Sequence, residues 1–244
     1  MRNIKAVVEY DGTDYFGFQR QPRRRTIQGE LEKALEAVMK EPVRVIGAGR
    51  TDTGVHALGQ VISFKTTCGI PIERMCVALN SALRSGIVVA DAEEVGPDFN
   101  ARYSARWRTY EYSILNTDRP SAISGRFTWH VPGKLSLVAM RGAAAYLVGT
   151  HDFSAFSISR RDRKSAVRNL LALDIRKRSD VIYFVVTADG FLHSMVRKIV
   201  GTLVDVGQGR RKPDDLKTIL DSKDRSAADK TAPARGLCLM EVVY

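Results

Sequence analysis

The sequence predicts an α+β protein built from two similar halves. The hydrophobic pattern of the first half gives the order strand, helix, strand, strand, helix, strand, and the second half repeats that order. Each half therefore has the split β-α-β order of a ferredoxin-like unit, with a mostly antiparallel sheet. The two halves share this pattern but no obvious sequence. A chain of 244 residues is long enough for two modest domains with cores of their own.

Turn and cap residues delimit the elements of the first half. Asp11-Gly12 closes the first strand, Thr26 is positioned to cap the first helix, and Pro42 stops that helix. Pro71 opens the second helix, and Gly86 precedes the last strand. The predicted elements are a strand at 4–10, a helix at 26–40, strands at 43–46 and 60–64, a helix at 71–83 and a strand at 87–90.

The second half follows a junction at 99–107, so the predicted domains are 1–105 and 106–244. Ser136 caps a helix that Gly149 ends, and Ser179-Asp180 joins two strands. The predicted elements are a strand at 108–116, a helix at 136–147, strands at 170–178 and 181–188, a helix at 191–206, a short helix after 213 and a strand at 238–244. A cleft between the two halves is expected to hold the functional site, because sites favour domain interfaces.

The charge of the chain favours a polyanionic partner. It carries 38 Lys and Arg residues against 27 Asp and Glu residues, which gives a net charge of +11. Nucleic acid is the usual partner of such a protein. The basic residues are clustered, although a single cluster is more often a solvated loop than a binding site. The candidate RNA contacts are Arg23, Arg24, Arg160, Arg161, Arg163 and Lys164.

Cysteine usage and targeting signals predict a cytoplasmic location. The three cysteines show no Cys-x-x-Cys spacing, which indicates free thiols in a reducing compartment. The N-terminus lacks the apolar stretch of a signal peptide, and no apolar run is long enough to span a membrane. The sequence also contains no zinc-ligand pattern, no Gly-x-Gly-x-x-Gly motif and no Walker motif.

The segment from Gly47 to Ala57 contains the most informative motif. Its one carboxylate, Asp52, follows the cation Arg50 by two residues, and three glycines flank the pair. Predicted strands at 43–46 and 60–64 place Asp52 on a loop between them, where chemistry is often located. A nearby opposite charge favours the ionised carboxylate. An ionised carboxylate without metal-ligand spacing can act as a nucleophile or a base.

Two other interpretations of this motif stay open. An Asp in a glycine-rich turn often only hydrogen-bonds its own backbone. In addition, Asp52-Thr53-Gly54 has the Asp-Thr-Gly sequence of aspartic proteases, whose chemistry needs two carboxylates that share a proton. Arg50 opposes that sharing, and the chain has no second Asp-Thr-Gly or Asp-Ser-Gly. A homodimer could supply the second copy.

Five segments together resemble the tRNA pseudouridine synthase A family. They occur in the family's order and span nearly the whole chain. The segments are YDGTDYFGFQ at 10–19 followed by TIQ at 26–28, GRTDTGVHA at 49–57, FNARYSA at 99–105 leading to YEY at 110–112, GTHDFSAF at 149–156 and FLHSMVRKIVG at 191–201. One departure is that Trp107 and Thr109 interrupt a stretch that is more basic in familiar relatives, which bears on RNA contacts.

The resemblance implies a function and a role for four residues. Such enzymes isomerise uridine to pseudouridine at positions 38 to 40 in the anticodon stem-loop of tRNA, as homodimers without a cofactor or a metal. Asp52 matches the essential aspartate, and Tyr110 matches the aromatic residue that packs on the target base. Arg197 matches a basic residue that pairs with the aspartate. Arg50 matches an arginine that helps to displace the base.

Without the resemblance, the same residues have simpler explanations. Tyr110 would be a half-buried tyrosine of a strand, and Arg197 would lie on the exposed face of a helix. The competing functional class is a non-catalytic RNA-binding module, which two ferredoxin-like halves and a net charge of +11 also fit. Such modules usually place paired aromatic residues on central strands. They have no need of an ionised Asp beside an Arg.

Overall fold

The computed structural model of this chain describes residues 1–158, 166–228 and 230–244 and divides into two compact units. The first unit comprises Met1–Arg106 and Cys238–Tyr244, and the second comprises Trp107–Leu237. The second half predicted from the sequence included residues 238–244, whereas the structure places them in the first unit. The reason is a non-local strand pairing: Cys238 lies parallel beside His56.

The first unit contains a mostly antiparallel sheet and two helices. In the sheet, β1 lies between β4 and β3, and β2 and β10 both pair with β3. Only the β3–β10 pairing is parallel. The elements are β1 (Arg2–Tyr10), α1 (Ile27–Met39), β2 (Ile46–Gly47), β3 (His56–Thr66), α2 (Ile72–Ala82), β4 (Ile87–Val95) and β10 (Leu237–Val243).

Local sequence explains most of the first unit. Alternate residues of β1, from Ile4 to Tyr10, are buried, as expected for a strand with one face on a core. The Thr26 side chain accepts a hydrogen bond from the Gly29 amide, which confirms the predicted helix cap. Helix α1 then ends at Lys40, whose backbone is left-handed with φ of 59°.

The strand predicted at 43–46 is largely wrong. Strand pairing begins only at Ile46, although Val43 and Val45 are buried. Two side chains of α1 replace the missing strand partner. Glu32 Oε1 accepts a hydrogen bond from the Val45 amide at 3.2 Å, and Gln28 Nε2 donates to the Val45 carbonyl at 3.1 Å. The backbone of this segment is therefore satisfied by a helix instead of a sheet.

The second unit contains a sheet in the order β5-β9-β8-β7, with antiparallel neighbours, and β6 adds a short parallel pairing to β5. The sequence predicted β5, β8 and β9 but not the short strands β6 and β7. The elements are β5 (Trp107–Leu115), β6 (Trp129–His130), α3 (Leu137–Ala145), β7 (Gly149–Asp152), β8 (Val167–Arg178), β9 (Val181–Ala188), α4 (Met195–Gly207) and α5 (Asp215–Ser222).

Helix α4 is buried in the second unit. Twelve of its 13 residues are buried, and Arg197 is the exception. The helix begins four residues later than predicted, because Ser194 has a left-handed backbone with φ of 60° that helical residues do not adopt. The buried residues include two charged ones, Lys198 and Asp205. Lys198 Nζ donates hydrogen bonds to the carbonyls of Ala155 and Arg225 at 3.2 and 2.8 Å.

Across the described ranges, no helix has both the length and the apolar character that a membrane span requires. The three cysteines, Cys68, Cys76 and Cys238, are free thiols.

Candidate functional site

Asp52 lies on the loop between β2 and β3, which confirms the predicted placement between two strands. One end of this loop is fixed to the sheet, and a turn closes the other end. The Ala48 amide donates to the Val61 carbonyl at 2.8 Å, and the Val55 amide donates to the Asp52 carbonyl at 3.1 Å. Asp52 itself is half-buried, whereas Thr51 and Val55 are buried.

A buried network of side chains holds the loop from beneath. The Tyr10 hydroxyl lies 2.8 Å from Thr51 Oγ1 and accepts a hydrogen bond from Gln60 Nε2 at 3.3 Å. Gln60 Nε2 also donates to the Gly49 carbonyl at 2.9 Å. Burial raises the pKa of the Tyr10 hydroxyl, so the phenol stays neutral at physiological pH. The residue immediately before Asp52 is therefore hydrogen-bonded to β1 directly and is linked to β3 through the Tyr10 hydroxyl.

The segment after β1 packs against the other side of the loop. The Phe18 amide donates to the Thr51 carbonyl at 3.1 Å. Gly17 has φ of +78°, and a Cβ placed there would lie 2.7 Å from the Thr51 carbonyl oxygen and 3.3 Å from the Asp52 carbonyl carbon. Only glycine allows both this backbone conformation and this approach. The motif at 10–19 thus supports the Asp52 loop.

His56 joins the start of β3 to the turn after β1. Its imidazole is buried, and Nδ1 lies 3.2 Å from the Gly12 amide nitrogen and 3.1 Å from Asp11 Oδ1. The β3 end of the Asp52 loop is therefore joined to the turn after β1. Sequence reasoning missed the supporting roles of Tyr10, Thr51 and Gln60. One available signal was the polar Gln60 directly before the apolar pair Val61-Ile62, and the structure buries Gln60 completely.

Arg50 is exposed on the same loop, two residues before Asp52. The loop therefore presents a cation in solvent and a half-buried carboxylate next to each other in the chain. A carboxylate of this kind can attack carbon or remove a proton, and an exposed guanidinium can contact phosphates or bases. Among the described residues, no three His, Cys, Asp or Glu side chains are grouped as metal ligands.

Tyr110 and Arg197 belong to the second unit, whereas Asp52 and Arg50 belong to the first. Tyr110 lies on β5 opposite Val186, and its ring meets Phe191 edge to face with centroids 5.0 Å apart. The residue is only 7% exposed, so it is buried instead of half-buried. The ring is therefore held in one orientation by the strand and by Phe191.

Arg197 is held by the backbone of a neighbouring segment. Its Nε donates to the Ala232 carbonyl at 2.8 Å, and the Ala232 amide donates to the Arg197 carbonyl at 3.0 Å. The first bond orients the guanidinium, whose donors form a rigid fork, and the second joins the two backbones. Burial raises the pKa of the nearby Tyr112 hydroxyl, and the charge of Arg197 acts in the opposite direction. Arg197 is thus an oriented cation on a buried helix.

The predicted RNA contacts fall into two groups. Arg23 and Arg24 are exposed in the segment between β1 and α1, and Arg23 has a left-handed backbone with φ of 57°. The other group lies outside the described residues: Arg160, Arg161, Arg163 and Lys164.

Comparison with known proteins identifies relatives along the whole chain. The sequence model of a family described as tRNA pseudouridine synthase matches residues 6–104 and 143–244. A protein of Caldicellulosiruptor saccharolyticus named tRNA pseudouridine synthase A is 47% identical over 244 residues, which covers 100% of both chains. Proteins with the same name from Acetivibrio thermocellus and Brevibacillus brevis are 46% and 45% identical, again over 100% of both chains.

Proposed function

Because this chain belongs to the tRNA pseudouridine synthase family, we propose that it isomerises uridine to pseudouridine at positions 38 to 40 in the anticodon stem-loop of tRNA. The main structural support is the Asp52 loop. Its flanking residues Thr51 and Val55 are buried and hydrogen-bonded, whereas Asp52 itself is accessible. A loop built in this way presents one carboxylate at a fixed position, as nucleophilic or general-base chemistry requires.

In the proposed reaction, the bond from N1 of uracil to the sugar breaks, the base turns, and carbon 5 bonds to the same sugar carbon; carbon 5 then loses its proton and N1 gains one. The redox state does not change, so this chemistry needs no electron carrier. Asp52 acts in its ionised form, either as a nucleophile or as a base. A stacked uracil cannot turn inside a helix, so the nucleotide must first flip out, at a cost of roughly a few kcal/mol.

Two further residues act on the target nucleotide in this proposal. The exposed Arg50 helps to displace the base from the stem. Tyr110 packs on the flipped base, and such a stack contributes about 1–3 kcal/mol. Because Phe191 already holds the Tyr110 ring, little side-chain entropy is lost when the base arrives.

We also propose that Arg197 pairs electrostatically with Asp52 during the reaction. Arg197 is the one residue of α4 that is not buried, and Ala232 fixes its guanidinium. A guanidinium at short range stabilises the negative charge of a carboxylate. Arg197 would thereby stabilise the charged side chain of Asp52 in the reacting complex.

The remaining parts of the proposal concern architecture and setting. We infer a ferredoxin-like arrangement for each unit, which the order β4-β1-β3, with β2 beside β3, supports for the first one. We infer a cytoplasmic enzyme, since free thiols suit a reducing compartment. The resemblance further supports a homodimer that works without a cofactor. Exposed arginines such as Arg23 and Arg24 would contact the phosphates of the RNA.

The decisive experiment combines an unmodified tRNA transcript, tritiated at carbon 5 of uracil, with the full-length protein. Isomerisation releases the tritium, and mapping of pseudouridine by nucleotide gives the positions. Asp52→Asn is the matched control, because it keeps the shape of the side chain and removes its charge. We expect this variant to bind tRNA and release no tritium.

Binding without tritium release by the unsubstituted protein would instead indicate a non-catalytic RNA-binding module. Turnover by Asp52→Asn within about tenfold of the unsubstituted protein would contradict the role of Asp52.

A further inference from the structure

An exposed aromatic side chain lies beside the Asp52 loop. Phe16, in the segment between β1 and α1, is 41% exposed, although burial of such a ring is strongly favourable. The Arg24 guanidinium lies over the Phe16 ring, with Cζ 4.4 Å from the ring centroid. Within the described part of the chain, no hydrogen bond or ion pair engages that guanidinium. The pair therefore presents an aromatic face and a positive charge together.

The adjacent pair, Tyr15 and Arg25, shows what a purely structural contact looks like in the same segment. Arg25 lies over the Tyr15 ring at 4.6 Å, donates to the Tyr15 hydroxyl at 3.0 Å and is 3.9 Å from Glu30. Tyr15 is only 3% exposed. All of these groups are thus used within the fold. Phe16 and Arg24 contribute no comparable packing, so stability does not account for their position.

Backbone hydrogen bonds hold Phe16 in place. Its amide donates to the Arg25 carbonyl at 2.8 Å, and Gln21 Nε2 donates to its carbonyl at 2.9 Å. The ring therefore stands on an ordered turn, and ordering it on binding costs little entropy. The chain position also matters, because Phe16 directly precedes Gly17.

The link through Gly17 places Phe16 close to the reacting carboxylate. Successive Cα atoms are about 3.8 Å apart, and Gly17 packs against the backbone of Thr51 and Asp52. Stacked bases on one strand are about 3.4 Å apart along the helix axis, which is similar to the Cα spacing. Phe16, one residue from the contact with Thr51 and Asp52, is therefore suitably placed for a base that neighbours a uridine held at Asp52.

We propose that Phe16 and Arg24 form a stacking site for the base next to the target uridine. This inference rests on the proposed function. When the uridine flips out, its neighbour in the stem-loop loses a stacking partner, and the Phe16 ring replaces that partner. Arg24 stacks on the base or contacts its phosphate, because a guanidinium can do both. Phe16 is thus a positioning residue that favours the flipped state of the RNA.

Substitutions at Phe16 test the proposal on the full-length protein with an anticodon stem-loop RNA. Phe16→Leu keeps an apolar side chain but removes the aromatic face, and Phe16→Trp keeps a stacking ring. We expect Phe16→Leu to reduce kcat/KM by about fivefold to a hundredfold, and Phe16→Trp to stay near the unsubstituted protein. Tyr103→Ala is the matched control, because Tyr103 is an exposed aromatic residue of the same unit that also has an arginine over its ring.

An abasic nucleotide next to the target uridine separates stacking from a structural effect. With the abasic RNA, the unsubstituted protein should fall to the level of Phe16→Leu on normal RNA, and Phe16→Leu should lose nothing more. Equal activity of Phe16→Leu and the unsubstituted protein on normal RNA would overturn the inference. The inference would also be overturned if Phe16→Leu lost the same factor in kcat/KM, relative to the unsubstituted protein, on the normal RNA and on the abasic RNA.

The failure of this inference is distinguishable from the failure of the proposed function. If the unsubstituted protein forms no pseudouridine in any RNA, the proposed function fails. Fluorescence of 2-aminopurine at the flanking position, measured on Asp52→Asn protein, still reports stacking without turnover. Quenching that Phe16→Leu abolishes and Phe16→Trp preserves supports the stacking site, and quenching unaffected by either substitution contradicts it.

Discussion

Replacing Thr51 with Val tests how the Asp52 loop is held. The Tyr10 hydroxyl accepts from Gln60 Nε2 and lies 2.8 Å from Thr51 Oγ1, so the threonine oxygen is the acceptor within reach of the phenol hydrogen. Valine keeps the shape of threonine and removes that acceptor. Because burial raises the pKa of Tyr10, the phenol cannot lose its proton to relieve the unmatched donor. A buried donor left without a partner costs about 1–3 kcal/mol.

The expected loss is measurable in the first unit. For a protein of this size, 1 kcal/mol corresponds to about 2–4 °C in Tm, so Thr51→Val should lower the Tm by about 2–12 °C. Both tryptophans, Trp107 and Trp129, lie in the second unit, so their fluorescence does not report on this change. Hydrogen exchange of the backbone amides in β3 measures the stability of the first unit directly. Thr51→Ser, which keeps the hydroxyl, is the control.

A double substitution decides whether the hydrogen bond itself is responsible. Tyr10→Phe with Thr51→Val removes both hydroxyls, and Gln60 keeps its hydrogen bond to the Gly49 carbonyl. The double variant should therefore be less destabilised than the sum of the single ones, with a coupling of about 0.5–3 kcal/mol. Thr51→Val should also lower kcat more than tRNA affinity, because Thr51 adjoins Asp52. Strictly additive losses, or a Thr51→Val protein as stable as Thr51→Ser, would refute the reasoning.

Three further outcomes are expected. Tyr110→Ala should lose about 1–3 kcal/mol of stacking, measured as weaker binding of RNA that carries a flipped base, whereas Tyr110→Phe should bind normally; equal binding by all three proteins would contradict the stacking role. Arg197→Met should lower turnover more than tRNA affinity; equal turnover by this variant and the unsubstituted protein would contradict the proposed pairing with Asp52. Hydrogen bonds from Thr66 and Thr67 lower the pKa of Glu41 from 4.5 to about 2, so its contribution to stability is complete above pH 4.5 and is lost as the pH falls towards 2. Glu41→Gln should therefore lose less stability than the unsubstituted protein in thermal melts between pH 4.5 and 2.

Local patterns predicted the helices and long strands because those signals lie within a few residues. Thr26 is a cap by its chemistry, and the alternation of β9 is complete within its own eight residues. The place of β10 depends on pairing with His56, far away in the chain, and no local pattern contains that information. At residues 43–45, by contrast, the sequence predicted a strand that does not form. The burial of this segment alternates like a strand, but α1 side chains satisfy its backbone.

The same distinction applies to the site. The glycines around Asp52 predicted a loop, because glycine marks turns in any sequence context. The network beneath the loop joins residues 10, 51 and 60, and only the paired strands β1 and β3 bring them together. For Arg197, hydrophobic spacing indicated an exposed helix face. In the structure, Arg197 is the one residue of this helix that is not buried, because Lys198 and Asp205 are buried as well. Spacing cannot reveal this when buried polar groups have partners elsewhere in the chain.

In both units, buried residues flank one accessible residue with a proposed functional role. In the first, buried Thr51 and Val55 flank an accessible Asp52, and in the second, a buried helix leaves only Arg197 accessible. Burying polar groups such as Gln60 costs free energy unless every hydrogen bond is made, so a fold that needed only stability would place apolar residues there. A non-catalytic RNA-binding surface also has no use for such rigidity, since exposed, adaptable side chains bind phosphates well. A reacting site instead requires that each reacting group be held within about half an ångström of its productive position. The single carboxylate and the single cation described here are fixed in the way that such a site needs.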